Sequence, residues 1–196
     1  QLIPERWQAN AVAAFEEESS GDETDAIEHL ERSIHLNPDF SKGEAMLGDI
    51  FSRHGDIERA TKYYFDAVTA YPGNFDAQNR LGAILLNERR FAEAIPHLEI
   101  AVENPKADAT VDYMLGAAFV EEKRPLEGIP YLQRAVQLDP TEKEAYTCLG
   151  IALQYEGEIK EAAAYYRRAL EIDPEYAPAR EDLAQVEYLI TSSQGQ

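Results

Sequence analysis

Apolar residues in this chain fall into short stripes separated by polar breaks. Met46, Leu47, Ile50 and Phe51 form one stripe, Leu81, Ile84 and Leu85 a second, and Leu149, Ala152 and Leu153 another. Spacings of three and four residues put each set on one face of an α-helix. A break follows each stripe: Arg53-His54-Gly55-Asp56, Asn87-Glu88-Arg89-Arg90, Glu121-Glu122-Lys123-Arg124 and Tyr155-Glu156-Gly157-Glu158. Gly55 and Gly157 suit the left-handed residue that ends a helix, and Pro125 suits the start of the next. A second helix then runs to a stop at Pro38, Pro72, Pro105, Pro140 or Pro174, because proline cannot continue it. Pro96 and Pro130 fall near the start of second helices, where a missing amide is expected to cost little.

The stripes are in register. Leu47-Gly48, Leu81-Gly82, Leu115-Gly116 and Leu149-Gly150 recur every 34 residues. Two further small-residue columns keep that period: Ala26, Ala60, Ala94, Gly128 and Ala162, then Ser33, Ala67, Ala101, Ala135 and Ala169. One helix–turn–helix unit is therefore copied and stacked, each copy packing on its neighbours. A glycine in a helix interior costs about 1 kcal/mol relative to alanine. Its recurrence implies a second helix passing too close for a side chain, with Tyr64, Leu98, Leu132 and Tyr166 filling the space between the columns. The proline spacing slips to 33 and then 35 around Pro105, so the irregularity sits in the turn at 104–108 and the helix register survives it. Leu183-Ala184 continues the Leu-Gly column in a last helix with no second helix after it.

On these residues the chain resembles the tetratricopeptide-repeat family over roughly residues 7–190. The matching features are the Leu-Gly steps, the large apolar residues Phe51, Leu85, Phe119 and Leu153, the two small-residue columns and the closing prolines. The resemblance implies an all-α fold, a right-handed superhelical solenoid of antiparallel helix pairs. Five units at about 7–38, 39–72, 73–105, 106–140 and 141–174, a capping helix at about 177–190 and a tail at 191–196 are expected to form one domain, 1–196. The family's early Trp is replaced by Asn10, Glu44, Gln78, Asp112 and Tyr146. The first unit departs most: Ala13-Ala14 stands for Leu-Gly, with Trp7 and Phe15 expected to pack there instead.

Charge narrows the function classes. The chain has 37 acidic and 18 basic side chains, a net charge of −19. That field repels phosphates, so nucleic acid is not an expected partner, and a basic or apolar protein segment is. No apolar run is long enough to span a bilayer, so direct membrane insertion is not expected. The single cysteine, Cys148, rules out an internal disulfide and favours a cytoplasmic setting, with a periplasmic one open if an upstream signal has been removed. No catalytic constellation is present: His29 and His97 share a repeat column, and no paired metal ligands, phosphate-binding glycine loop or nucleophile elbow occurs. The reading is of a non-enzyme, with no cofactor, catalytic residue or metal site.

The resemblance implies a concave face lined by first helices. Four offsets from each Gly define it, and the candidate peptide-binding residues are Asn79, Ala83, Leu86, Asn87, Tyr113, Ala117, Val120, Ile151, Gln154 and Tyr155. Small and apolar residues would supply contact area, and the amides would bond a peptide backbone. Lys42, Arg53 and Arg80 are diluted by Asp49, Asp76 and Glu121, so the clamp for C-terminal carboxylates seen in some families of this fold is not matched. The expected function is a protein-interaction scaffold or adaptor binding a peptide or helix. The alternatives are a module that forms homo-oligomers through the groove and an accessory region of a larger enzyme.

Overall fold

The computed structural model describes the backbone of residues 5–20 and 23–194, and the side chains of 7–14 and 23–192. Phe15 is helical, but its side chain lies outside the described residues. Eleven helices and no strand are found among the described residues. In chain order they are α1 (Glu5–Ser20), α2 (Glu23–Leu36), α3 (Ser41–Arg53), α4 (Ile57–Ala70), α5 (Phe75–Asn87), α6 (Phe91–Ala101), α7 (Ala109–Glu121), α8 (Pro125–Leu138), α9 (Lys143–Tyr155), α10 (Ile159–Ile172) and α11 (Ala177–Gln194). The last helix runs on through residues expected as tail. The chain divides into two compact units, Gln1–Ile84 and Leu85–Gln196, with the division inside α5.

In the first unit α1 docks on α2. Ala11, Ala14, Ala26 and Leu30 are buried between them, and the Ser33 hydroxyl donates to the Trp7 carbonyl at 3.0 Å. The Trp7 ring packs on Phe40, with centroids 5.0 Å apart. Between α3 and α4 the small-residue columns serve as the spacing implies. A Cβ on Gly48 would lie 2.5 Å from the Tyr64 ring, so only glycine admits that ring. Tyr64 then donates from its phenol to Asp49 Oδ1 at 2.7 Å, which satisfies a polar tip that burial would otherwise strand. At the other end of the pair, Ser41 donates to the Ala67 carbonyl at 2.7 Å and accepts from Asn74 Nδ2 at 2.8 Å. Asn74 in turn caps α5, its Oδ1 accepting from the Ala77 amide at 3.1 Å.

The second unit repeats the design. Val120, Leu132, Leu149 and Ala152 form one core cluster, and Ala162, Ala163, Tyr166 and Val186 another. A Cβ on Gly116 would lie 2.5 Å from Leu132 Cγ, and one on Gly150 would lie 2.5 Å from the Tyr166 ring. Gly128 is less forgiving, since its Cβ would meet the Gly116 carbonyl oxygen at 2.6 Å, a backbone atom that cannot swing aside. The closing helix α11 buries Ala179 and Val186. At the positions that carry Tyr146, Gly150 and Leu153 on α9, it carries exposed Arg180, Ala184 and Glu187, the last paired with Arg167 at 2.7 Å.

Two features differ from the sequence reading. Pro96 and Pro130 are the sixth residues of α6 and α8, past the first-turn amides that lack an intrahelical acceptor, since Ala94 and Gly128 already bond the N-cap carbonyls of Arg90 and Arg124. Each therefore forfeits one helical bond, and both prolines sit on the exposed side, where water can serve the freed carbonyl. The helix-ending column also holds more than glycine. Gly55 (φ 76°) and Gly157 (φ 83°) occupy the left-handed region as expected, but so do Arg89 (φ 59°) and Lys123 (φ 61°). At each of these turns the next amide reaches back to the helix, as in Arg124 N to the Phe119 carbonyl at 2.9 Å.

Candidate partner-binding site

In the second unit, helices α7 and α9 pack side by side, and both are first helices of their pairs. α7 carries Tyr113 and Ala117, and α9 carries Ile151 and Tyr155. The first three are half-buried, and Tyr155 is 53% exposed. Tyr113 and Ile151 rest on a floor formed by the cluster of Val120, Leu132, Leu149 and Ala152. Val120 belongs to that floor rather than to the surface. It is 3% exposed, because its position on α7 turns it inward against Leu149 and Ala152. It offers no side chain to a ligand.

The other expected residues separate by unit. Leu86 and Asn87 lie on the last turn of α5, in the second unit, half-buried and exposed respectively. Asn79 and Ala83 belong to the first unit and are half-buried; the Asn79 Oδ1 is shielded from solvent and has no hydrogen-bond partner. Gln154 is turned toward α10, its Oε1 accepting from the Tyr166 phenol at 2.9 Å. Tyr155 is held by Lys123, whose Nζ donates to its oxygen at 2.6 Å.

Burial pushes the Tyr113 phenol well above its usual range, with Cys148, Tyr176, Glu144 and Glu142 adding in the same direction. Glu142 is itself pushed upward by burial and then by Glu144 and Asp139. The N-terminal end of α9 therefore gathers negative charge beside Tyr113. Cys148 was not expected at this site; like Tyr113 and Ile151, it is half-buried and packs against the cluster. Its place one residue before Leu149 was the available signal.

The first unit has a separate hollow of about 450 Å³ on the α3 side, lined by Lys42, Ala45, Asp49, Tyr71, Asn74 and Asp76 among others. Asp49 is already engaged there by Tyr64 at 2.7 Å and by Arg80 at 3.2 Å. Tyr71 and Asn74 come from the turn before α5, which a reading confined to first-helix offsets passes over. Among the described residues, no group of three or more His, Cys, Asp or Glu side chains is placed to hold a metal ion. No helix of the described residues is long and apolar enough to cross a membrane.

Curated protein sequences gave no match. Family models described as tetratricopeptide repeat match residues 144–176 and, in two overlapping placements, 45–109 and 80–143. Among solved structures, YrrB, described as a TPR protein with an unusual peptide-binding site, is 25% identical, with a TM-score of 0.72 over 83% of this chain and 84% of that one. MamA (residues 41 to the end) from Desulfovibrio magneticus RS-1 is also 25% identical, with a TM-score of 0.67 over 87% of this chain and 97% of that one. PilF of Pseudomonas aeruginosa shares the fold at 18% identity, with a TM-score of 0.63 over 96% and 91% of the two chains. The registered columns, the paired helices and these matches lead to one conclusion: the chain belongs to the tetratricopeptide-repeat family, and its architecture is that of a protein-interaction scaffold.

Proposed function

We propose that the α7–α9 side of the second unit binds a segment of a partner protein, and that the chain acts by binding rather than by catalysis. The observation that carries this reading is the row Tyr113, Ala117, Ile151 and Tyr155 on two adjacent first helices, with Val120 and Leu149 packed beneath. Small Ala117 leaves room for a backbone, while the two tyrosines give amphipathic walls at low conformational cost. The acidic end formed by Glu142 and Glu144 favours a segment with a basic residue at that end. The description of YrrB as having a peptide-binding site supports the reading by analogy.

A displayed peptide library selected against the chain provides the test. Ala117→Glu places an unpaired charge in the middle of the row. The selected peptide should bind this variant at least about tenfold more weakly, a loss of about 1.4 kcal/mol, with helicity unchanged. Parental affinity in the variant overturns the reading. A second copy of the chain is the competing occupant of the same face. Light scattering that shows an oligomer converted to monomer by Ala117→Glu would assign the face to self-assembly instead.

A further inference from the structure

One column of the repeat sets a polar or tyrosyl side chain of the first helix opposite a residue 22 positions later on the second. In α7 and α8 the two are Asp112 and Arg134. Asp112 is 1% exposed, Arg134 Nε donates to its Oδ2 at 2.6 Å, and Nη2 lies 2.5 Å from Oδ1. The arginine side chain is 46% exposed, so it covers the carboxylate from the solvent side. In α9 and α10 the residues are Tyr146 and Arg168, with the guanidinium 6.0 Å from the ring centroid. In α1 and α2 the same register gives Asn10 and Arg32.

The α3 and α4 pair breaks this pattern. Its residues are Glu44 and Asp66, an acid where three other second helices carry arginine and α6 carries Ile100, in register with the neutral Gln78. Glu44 is 8% exposed, and its Oε2 is shielded from solvent without a hydrogen-bond partner. Asp66 is half-buried and Asp39 is exposed, and both act on Glu44 with the same sign of charge. A buried carboxyl ordinarily has its acceptor atoms satisfied or its charge matched. Here the counter-charge that the fold provides elsewhere is missing.

We propose that the α3/α4 pair receives one guanidinium side chain of a partner protein, which enters over Asp66 and takes, between Glu44 and Asp66, the place that Arg134 holds in α7/α8. A planar guanidinium suits two carboxyl groups because its fork donates along two parallel directions. A divalent ion fits less well, since no cluster of three or more acidic or histidine ligands is placed to hold one among the described residues. The net charge of −19 draws such a cation toward the chain. This receptor lies in the first unit and does not depend on the α7–α9 face. Occupancy needs Glu44 ionised. Burial, with Asp66 and Asp39, pushes its carboxyl up to about 7, so binding strengthens as pH rises through that value.

The test uses the peptide acetyl-Gly-Gly-Arg-Gly-Gly-amide and its citrulline counterpart, which keeps the shape and lacks the charge. Side-chain and amide NMR signals of Asp39, Glu44 and Asp66 should shift saturably with the arginine peptide, and at least tenfold more weakly with citrulline. Glu44→Gln and Asp66→Asn should each abolish the shifts. Asp66→Arg should close the site from within, abolishing the shifts and raising Tm above that of the parent. Equal responses to the two peptides, or no saturable shift at these residues, would overturn the proposal. So would calcium ions producing the shifts in place of the peptide, or a Tm for Asp66→Arg below the parent.

Discussion

Lys123 donates from Nζ to the Tyr155 phenol oxygen at 2.6 Å, and its ammonium lies 4.7 Å from the same ring's centroid. The contact spans 32 residues and ties the turn after α7 to the C-terminal end of α9. It originates from a backbone at φ 61°, in the region where Gly55 and Gly157 sit without strain. Lysine there costs on the order of 1 kcal/mol relative to glycine, which the staple partly offsets.

Comparing two substitutions separates strain from staple. Lys123→Ala loses the contact and keeps the strained backbone, whereas Lys123→Gly loses the contact and relieves it. Chemical denaturation should place the alanine variant about 1 kcal/mol below the glycine variant. Equal stabilities would mean that the turn relaxes and stores no strain.

Gly128→Ala tests a backbone-to-backbone approach in the second unit. The added methyl meets the Gly116 carbonyl at 2.6 Å and Phe119 Cβ at 3.2 Å, so α7 and α8 must move apart. A loss on the order of 1–3 kcal/mol is expected. Ala60, Ala94 and Ala162 fill this column in other pairs, so an unchanged Tm for the variant would show that α7 and α8 can adopt their spacing.

Removing the cation over Asp112 should be costly. Arg134→Leu leaves a carboxylate that is 1% exposed without its ion pair. The expected loss is about 2–3 kcal/mol, and Asp112→Asn in the same background should recover part of it. Additive effects of the two substitutions in a double-mutant cycle would show that the pair is not coupled.

Glu44 predicts a pH dependence of definite sign. Its folded carboxyl is raised from 4.5 to about 7 by burial and then by Asp66 and Asp39. A raised folded value contributes stability that is fully present below the unfolded value and is lost as pH rises through about 7. Glu44→Gln mimics the neutral form. It should match the parent in Tm near pH 4 and exceed it near pH 8. A constant difference across this range would show that Glu44 does not titrate there.

Much of this fold is legible in the sequence because sterics repeat. Gly48, Gly116 and Gly150 each face a large ring or branched side chain from the next helix, and a 34-residue column records that contact directly. Side-chain destinations off the columns are less legible. Val120 and Ala117 are three residues apart on one helix, and a small rotation of α7 decides which is floor and which is surface. Gln154 reads as an exposed amide until the Tyr166 phenol claims it from another helix. Arg89 and Lys123 hide a left-handed turn because periodicity marks where a turn falls, while φ depends on how the next helix must start. The Glu44 and Asp66 register was visible as two letters 22 apart, yet its meaning required knowing that Arg134 reaches Asp112.

Cys148 gives the second unit a chemical reporter. The thiol is half-buried against the cluster of Leu149 and Ala152, and burial, with Glu121 nearby, pushes its pKa up to about 12. The thiolate is the reactive species, so a maleimide or disulfide reagent labels it slowly. Because this is the sole sulfhydryl in the chain, its labelling rate reads the surroundings of α9 with no engineered probe. A segment bound along α7 and α9 would slow the rate, and a ligand held at Glu44 would leave it unchanged.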